Sequence, residues 1–575
     1  MDDEYATILL TNKKGGFAWL GAHPESRYQG VFFRLKNKVY KAVADLRMAE
    51  PLKGVTHHLW GVQRDYDSVS QRITMPHGAN ALLAEFSAPA SFDLLLDCKL
   101  IDDNREWGRN YYVSREKDCV LIKFSKQDDS RDDNSAAGEF SLYLALCGDK
   151  FEFSPGDNWV EQHYPWDENR NSAPWRRWAY NAGAVRAQRF VLAAGLTKKD
   201  ALAEARRVLR NRVALLNRQV QDASATIAHK LKLPKSVDLA YECARNALDS
   251  LTVADEGLYA GIPWFYQFWV RDESVSCGAL RSLGRKKLVK KILQRHLAKF
   301  GKDALPFAFY GHSLRTVDGP GWVALRYAQS KDLFVPREQK KSEAALRNAF
   351  HALTHDLRDG LVTNGPLETW MDTDVDGRDA REGARIEVQA LTLALARALG
   401  EKEFEWQLAR RVRETFWNGS YLHDGLGDPT IRPNVFIAAY AYPDLLTKSE
   451  WEKCFDAVLP KLWLSWGGLS GIDTSHELFT DHYTGQDNVS YHRGDSWFWL
   501  NNLAALVMHR VNARKYKKYV DRVLEASSHE ITSLGALGHH AELSSARALS
   551  SRGCQSQAWS AAMFIELCEE LFSQK

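Results

Sequence analysis

Up to about residue 195 the chain alternates short apolar runs with turn-forming residues. Ala6-Thr7-Ile8-Leu9-Leu10, Val31-Phe32-Phe33-Arg34-Leu35, Val39-Tyr40-Lys41-Ala42-Val43 and Cys119-Val120-Leu121-Ile122-Lys123-Phe124 are rich in β-branched and aromatic residues. Asn12-Lys13-Lys14-Gly15-Gly16 and the polar stretch from Gln127 to Asn134 punctuate them. Short strands with no amphipathic helix between them predict an antiparallel β-sandwich over residues 1–195. The acidic stretch after Gln127 reads as a solvated hairpin tip rather than a cation site.

The period changes near Lys198. Leu202, Ala205, Val208, Leu209, Val213 and Leu216 recur at helical spacing, with Arg206, Arg207, Arg210 and Arg212 between them. This predicts a helical linker over 196–233, with the arginines forming its solvated face. Beyond Pro234 about twelve helical stretches follow, the clearest near 236–253, 340–357, 385–399, 402–417, 447–462, 494–511, 514–528 and 556–572. That number fits six helical hairpins closed into an (α/α)6 toroid over residues 234–575, and no fixed-length repeat points to a solenoid. The unusual residues fall in the loops between helices, where a toroid gathers them at one mouth.

Composition narrows the function. A chain of 575 residues with 26% charged residues yet a net charge of only +3 lacks the basic footprint that nucleic acid demands. A neutral polymer such as a glucan suits it better. The acidic start Met1-Asp2-Asp3-Glu4 does not resemble a signal peptide. No stretch approaches the roughly 18 apolar residues of a membrane span. The eight cysteines are scattered without a Cys-x-x-Cys pair, which predicts reduced thiols, no structural zinc and a cytoplasmic protein.

Four loop clusters carry candidate chemistry. The first, Trp264-Phe265-Tyr266-Gln267-Phe268-Trp269-Val270-Arg271-Asp272, offers aromatic faces for pyranose rings, and Arg271 and Asp272 for sugar hydroxyls. The second is Glu368-Thr369-Trp370-Met371-Asp372-Thr373-Asp374-Val375-Asp376-Gly377, with Arg381 and Glu387 after it, and Trp370, Arg381 and Glu387 are candidate sugar contacts. Its Asp-x-Asp-x-Asp-Gly opens like a calcium loop, but position twelve is Gly383 instead of glutamate. A carboxyl buried beside Trp370 has its neutral form favoured, as a general acid requires. Asp372 is the candidate acid, with Glu368, Asp374 and Asp376 as competitors.

The third cluster joins Arg432-Pro433-Asn434, Asp481-His482 and Tyr491-His492-Arg493-Gly494-Asp495-Ser496-Trp497. Here Asn434, His492 and Trp497 are candidate sugar contacts, and no ligand array turns His482 or His492 into a metal site. The fourth, His539-His540-Ala541-Glu542, lacks the His-Glu-x-x-His pattern and supplies Glu542 as candidate base. Nucleotide-binding loops and a Gly-x-Ser-x-Gly elbow are missing. The pattern calls for no cofactor and no metal. Paired carboxyls among aromatics are the requirements of glycosidic hydrolysis.

In this order the clusters resemble the amylo-α-1,6-glucosidase part of glycogen debranching enzymes. The shared motifs are the aromatic segment ending in Arg271-Asp272, Thr369-Trp370-Met371-Asp372, the run from Arg381 to Glu387, Arg432-Pro433-Asn434, Tyr491 to Trp497, and Gly553-Cys554-Gln555-Ser556-Gln557-Ala558-Trp559-Ser560. Thr11 to Ala18 and Arg27 to Gly30 are similar to the start of that family's β-rich region. The resemblance implies a β-sandwich followed by an (α/α)6 barrel and inverting hydrolysis of α-glucosidic bonds in glycogen or a branched α-glucan. It maps the acid to Asp372 and the base to Glu542. A chain of this length leaves no room for a glucanotransferase barrel. The rival readings are a glucoamylase-like or trehalase-like α-glucosidase, a phosphorylase, and a glucan-binding protein without catalysis. The aromatic run from Trp159 to Tyr180 reads as interdomain packing or an extra glucan platform, and nothing in the pattern assigns an oligomeric state.

Overall fold

A computed structural model describes residues 7–127, 138–149, 151–254, 256–301 and 314–573. The acidic stretch after Gln127 lies outside them. The chain divides into two compact units, the first comprising residues 1–228 with 250–254 and 536–538, the second the remainder.

In the first unit the strands are β1 (Ile8–Thr11), β2 (Phe17–Leu20), β3 (Gly30–Leu35), β4 (Lys38–Met48), β5 (Gly54–His57), β6 (Val62–Asp65), β7 (Ser70–Thr74), β8 (Ala81–Leu100), β9 (Arg109–Glu116), β10 (Cys119–Lys126), β11 (Phe140–Asp149), β12 (Glu152–His163) and β13 (Arg176–Gly195). All are antiparallel, as the sequence predicts. They do not form two separate sheets, however. They form one 13-stranded sheet in the order β1-β2-β3-β4-β8-β13-β11-β10-β9, with β12 on β13 and β5-β6-β7 leading to β8.

The reason is the length of β8 and β13, 20 residues each. The first half of β8 pairs with β7 and the second with β4. Likewise β13 pairs first with β12 and then with β11. Bulges at Asn181/Gly183 and Ala187/Arg189 bend β13 midway. Gly183 has φ +140°, and a Cβ there would collide with the Ser154 carbonyl. Ile8, Phe33 and Leu94 from one half share a core with Val62, Ile73 and Leu144 from the other.

Cys119 and Cys147 stand opposite each other in the β10–β11 register and form a disulfide, which corrects the expectation of reduced thiols for this pair. A separation of 28 residues gave no sign of it. The other six cysteines are free and buried.

Helix α1 (Pro165–Asn169) is short; α2 (Lys198–Ile227) opens with Thr197 accepting from the Asp200 N–H. Rather than standing alone as a linker, α2 buries Ala201, Leu202, Ala205 and Val208 against Leu83, Leu121, Cys147 and Val191 of the sheet.

The second unit holds α3 (Lys235–Ser250), α4 (Val270–Ser282), α5 (Lys286–Leu297), α6 (Gly319–Gln329), α7 (Pro336–Thr354), α8 (Ile386–Leu399), α9 (Lys402–Phe416), α10 (Asn434–Ala441), α11 (Lys448–Leu462), α12 (Phe498–Ser533, interrupted at Asn512) and α13 (Ala558–Phe572). Burial sorts them into two kinds. Every residue of α10 is buried, and α8 is buried from Ile386 to Ala396, so both are enclosed on all sides. By contrast α9 buries only Leu408, Val412 and Phe416, a single stripe at four-residue spacing. The enclosed helices contact one another in a closed cycle, α4–α6–α8–α10–α12–α13 and back to α4. Around it α5 packs on α4 and α6, α7 on α6 and α8, α9 on α8, and α11 on α12.

Candidate functional site

The residues singled out from sequence converge where the helices of the cycle begin. Arg271 and Asp272 open α4, Glu387 opens α8 and Asn434 opens α10. Trp497 precedes α12 and Gln557 precedes α13. Two short antiparallel pairings close the group: Gly261–Ile262 with Ser556–Gln557, and Ser496–Trp497 with Leu543–Ser544. The second sets the Glu542 segment beside Trp497.

Asp372 and Glu542 flank the dipeptide Tyr491-His492. Arg271 Nη2 donates to Asp372 Oδ2 at 2.6 Å, and His492 Nε2 stands 3.7 Å from Asp372 Oδ1. The Tyr491 hydroxyl donates to Glu542 Oε1, and the Cys554 N–H donates to Oε2 at 2.9 Å. Gly553, at φ +69°, lies so close to Oε2 that a Cβ would collide with it. Asp372 keeps a 20% exposed side chain, whereas Glu542 is buried. Of the predicted set only Asp372 and Trp264 escape full burial.

The electrostatics correct one expectation. Burial pushes the Asp372 carboxyl up, but Arg271 and His492 outweigh it and hold the group below the usual carboxylate range. Asp372 is therefore ionised at rest, not kept neutral beside Trp370. His492 is depressed to about 4 by burial, against the pull of Asp372, so it is neutral at pH 7 and Arg271 is the cation that matters. Asp272 behaves oppositely. Burial, aided by Glu542 and opposed by Arg271, lifts it to about 8, and Gln557 Nε2 donates to it at 3.0 Å.

Four other predicted contacts sit behind this layer. Arg381 donates to both oxygens of Glu387, at 2.8 and 3.1 Å, and to both of Asp424, each at 3.0 Å. Asn434 joins Asp424 to the Trp370 indole N–H. Trp370 meets His492, Trp497 and Trp499 edge to face, and Trp497 stacks on His492 with ring centres 5.1 Å apart. Arg381, Glu387, Asn434 and Trp370 thus build the wall rather than offering free groups to a sugar.

The competitors for the acid role are engaged elsewhere. Glu368 accepts from the Gly365 N–H, and Asp374 closes its own turn by accepting from Gly377 and Asp379. Asp376 is exposed. His540 hydrogen-bonds Glu530 at 2.6 Å and Asn502 at 3.2 Å, and His539 lies 2.9 Å from the Ser556 hydroxyl, so the paired histidines serve the local packing. Asp424 has no signal in the sequence, and Tyr491 and Gln557 stand out there only as parts of motifs.

A family profile for amylo-alpha-1,6-glucosidase matches residues 242–566, more than half of the chain and every residue of this group. The chain belongs to the amylo-alpha-1,6-glucosidase family. It is a glycoside hydrolase of the α-glucan type. No curated protein matches it. Among solved structures, a bacterial glucoamylase complexed with acarbose is similar over 99% of this chain and 95% of its own, with a TM-score of 0.64 at 10% identity, and shares the fold. A wild-type glycosidase (TM-score 0.45, 14% identity) and an uncharacterized conserved protein from Thermus thermophilus (0.43, 12%) cover 59% and 57% of this chain and 99% and 98% of their own. No helix among the described residues is long and apolar enough to cross a membrane.

Proposed function

We propose that this amylo-alpha-1,6-glucosidase family member releases glucose from α-1,6 branch points of a glycogen-like glucan by inverting hydrolysis, with Asp372 as acid and Glu542 as base. In this reading the helix cycle is an (α/α)6 toroid, and the site occupies the end where its inner helices begin. The observation that carries the assignment is the placement of the two carboxyls on either side of Tyr491-His492. An inverting pair needs a gap of roughly 6.5–9.5 Å to admit a water molecule.

Asp372 donates its proton to the glycosidic oxygen as the bond to the sugar C1 breaks. Glu542 accepts a proton from the water that bonds to C1 from the opposite face. Glu542 gains a proton and Asp372 loses one, and exchange with solvent resets both. Because Arg271 holds Asp372 ionised at rest, Asp372 must take up a proton before each turnover, which acidic solution favours. Trp264, which is only partly buried, is the aromatic residue this reading assigns to stacking on a sugar. Arg271 and His492 stand beside Asp372 and Tyr491 beside Glu542, while Trp370, Arg381, Glu387, Asn434 and Trp497 hold the surrounding wall.

The glucoamylase fold supports a second reading, release of terminal glucose from linear α-glucan chains. The deciding experiment measures glucose release from a dextrin bearing single α-1,6-glucosyl stubs, beside linear maltooligosaccharide and trehalose, and follows the anomer formed first. We expect stub-selective release of β-glucose, reduced about 10²–10⁴-fold in Asp372→Asn and Glu542→Gln. Release from linear chains alone overturns the branch-point assignment. First-formed α-glucose overturns inversion, and full activity in either variant overturns that residue's role.

A further inference from the structure

Asp424 lies in the turn His423-Asp424-Gly425, where composition suggests nothing but a loop, yet it is only 2% exposed. Its carboxylate accepts from Arg381 Nε and Nη2, each at 3.0 Å, from Arg385 Nη1 at 3.3 Å and from Asn434 Nδ2 at 2.7 Å. Its own carbonyl takes the Ile386 N–H at 3.0 Å, which ties the turn to the start of α8.

The bond to Asn434 carries directional information. An asparagine amide presents a donor on one side and an acceptor on the other, and either orientation fits the same volume. A carboxylate can only accept, so Asp424 forces the Asn434 NH2 to face it. The second hydrogen of that NH2 points to the Met371 sulfur at 3.5 Å. Asn434 Oδ1 is thereby turned toward Trp370, whose indole N–H reaches it at 2.8 Å. With the amide reversed, two donors would face each other in a buried wall, which is unfavourable. Trp370 is two residues before Asp372, and its ring is wedged edge-on against His492, Trp497 and Trp499.

We propose that Asp424 is a positioning residue for the acid, acting through a polarity relay from Asp424 to Asn434 to Trp370 that fixes the segment bearing Asp372. Arg381 strengthens the relay, since it binds both Asp424 and Glu387 and also donates to the Thr369 hydroxyl at 3.0 Å. The relay thus grips the Thr369-Trp370-Met371-Asp372 segment at two consecutive side chains. The proposal rests on the reading of Asp372 as the acid.

The test compares Asp424→Asn, Trp370→Phe and the double variant, with stub-dextrin hydrolysis, thermal melting and near-ultraviolet circular dichroism as readouts. Asparagine at 424 keeps the volume but lets the amide at 434 reverse. Phenylalanine at 370 keeps one aromatic ring and removes the indole N–H together with the second ring, so the comparison of single and double variants, rather than the single loss, reads the bond to Asn434. We expect each single variant to lower kcat by about 10–100-fold with little change in KM, because a small misplacement of a reacting group carries a penalty of that size. We expect the double variant to be no worse than the poorer single one, since both break the same chain. Moving the carboxylate along the relay, with Asp424→Asn and Asn434→Asp together, recovers part of the lost kcat by again presenting an acceptor to Trp370.

Multiplicative losses in the double variant, or a Trp370→Phe variant with unchanged kcat, overturn the relay. If Asp424→Asn fails to fold, Asn434→Leu takes its place in the cycle with Trp370→Phe, and an unchanged kcat in Trp370→Phe still overturns the relay. The dichroism separates this proposal from the parent reading: a spectral change caused by Asp424→Asn that is absent in the Trp370→Phe background supports the relay even if Asp372→Asn retains activity and the acid is reassigned, and a change that persists in that background refutes it.

Discussion

The segments bearing the two carboxyls are secured in different ways. Asp372 keeps a 20% exposed side chain and is gripped directly by a cation, Arg271, which in turn lies 3.6 Å from Asp318. Glu542 is buried, and the donors on its two oxygens are the Tyr491 hydroxyl and the Cys554 backbone N–H. Its segment is anchored by Glu530, which accepts from the Ala541 N–H at 3.2 Å and from Ser551 at 2.6 Å while bonding His540. The difference suits the proposed roles. An acid that must reload its proton benefits from access to solvent. A base that must aim at one water benefits from a rigid seat.

The sharpest way to break this contrast is to remove the cation. Arg271→Gln should reduce kcat/KM by about 100-fold, since Asp318 and Asp372 lose a buried partner. The sign of the pH effect is the informative part. Arg271 depresses the Asp372 pKa, so its loss raises it, and the alkaline limb of kcat/KM should move to higher pH than in the parent. A limb that stays in place assigns it to another group.

Tyr491→Phe tests the other side. Removing the hydroxyl from Glu542 while retaining the ring should lower kcat by about tenfold, as expected for one buried hydrogen bond to a charged group. The limb that follows Arg271→Gln should stay in place. Its movement would show that the two carboxyls are coupled, and the contrast would collapse.

The smallest effect concerns stability. Asp272 has a folded-state pKa of about 8, raised from 3.8 chiefly by burial. A raised carboxyl pKa contributes stability that is present at low pH and lost as pH rises from about 4 through about 8. Asp272→Asn keeps an oxygen for Gln557 and removes the titration. Melting curves should therefore show a shallower decline between pH 5 and pH 8 than in the parent, and an identical decline would assign the titration to a different group.

Much of the fold was legible because its periods are clean. The stretches read as helices at 385–399, 402–417 and 447–462 coincide closely with α8, α9 and α11. The single doubled-over sheet was not legible. Ser87, Ala88 and Pro89 interrupt the apolar pattern in the middle of β8, so one long strand reads as two short ones with a turn between them. In the site, Asp372 and Glu542 stood out because their neighbours are unusual. Arg381 and Glu387 looked like sugar grips because loop charges resemble ligand contacts until their partners are seen. Asp424 left no trace because its significance lies wholly in contacts distant along the chain, and Glu530 was hidden within an ordinary amphipathic helix.

The closure of the helix cycle has a consequence for biosynthesis. The first enclosed helix made, α4, receives its final neighbour from α13, the last. Gln557, at the start of that last helix, must reach back 285 positions to meet Asp272. Until α13 emerges from the ribosome, α4 and α12 present an unmatched apolar flank, and the site lacks one wall. A chain that ends before α13 leaves Asp272 without Gln557 and uncovers the flanks of α4 and α12 that α13 fills. Such nascent chains are the natural clients of chaperones that shield long-delayed contacts.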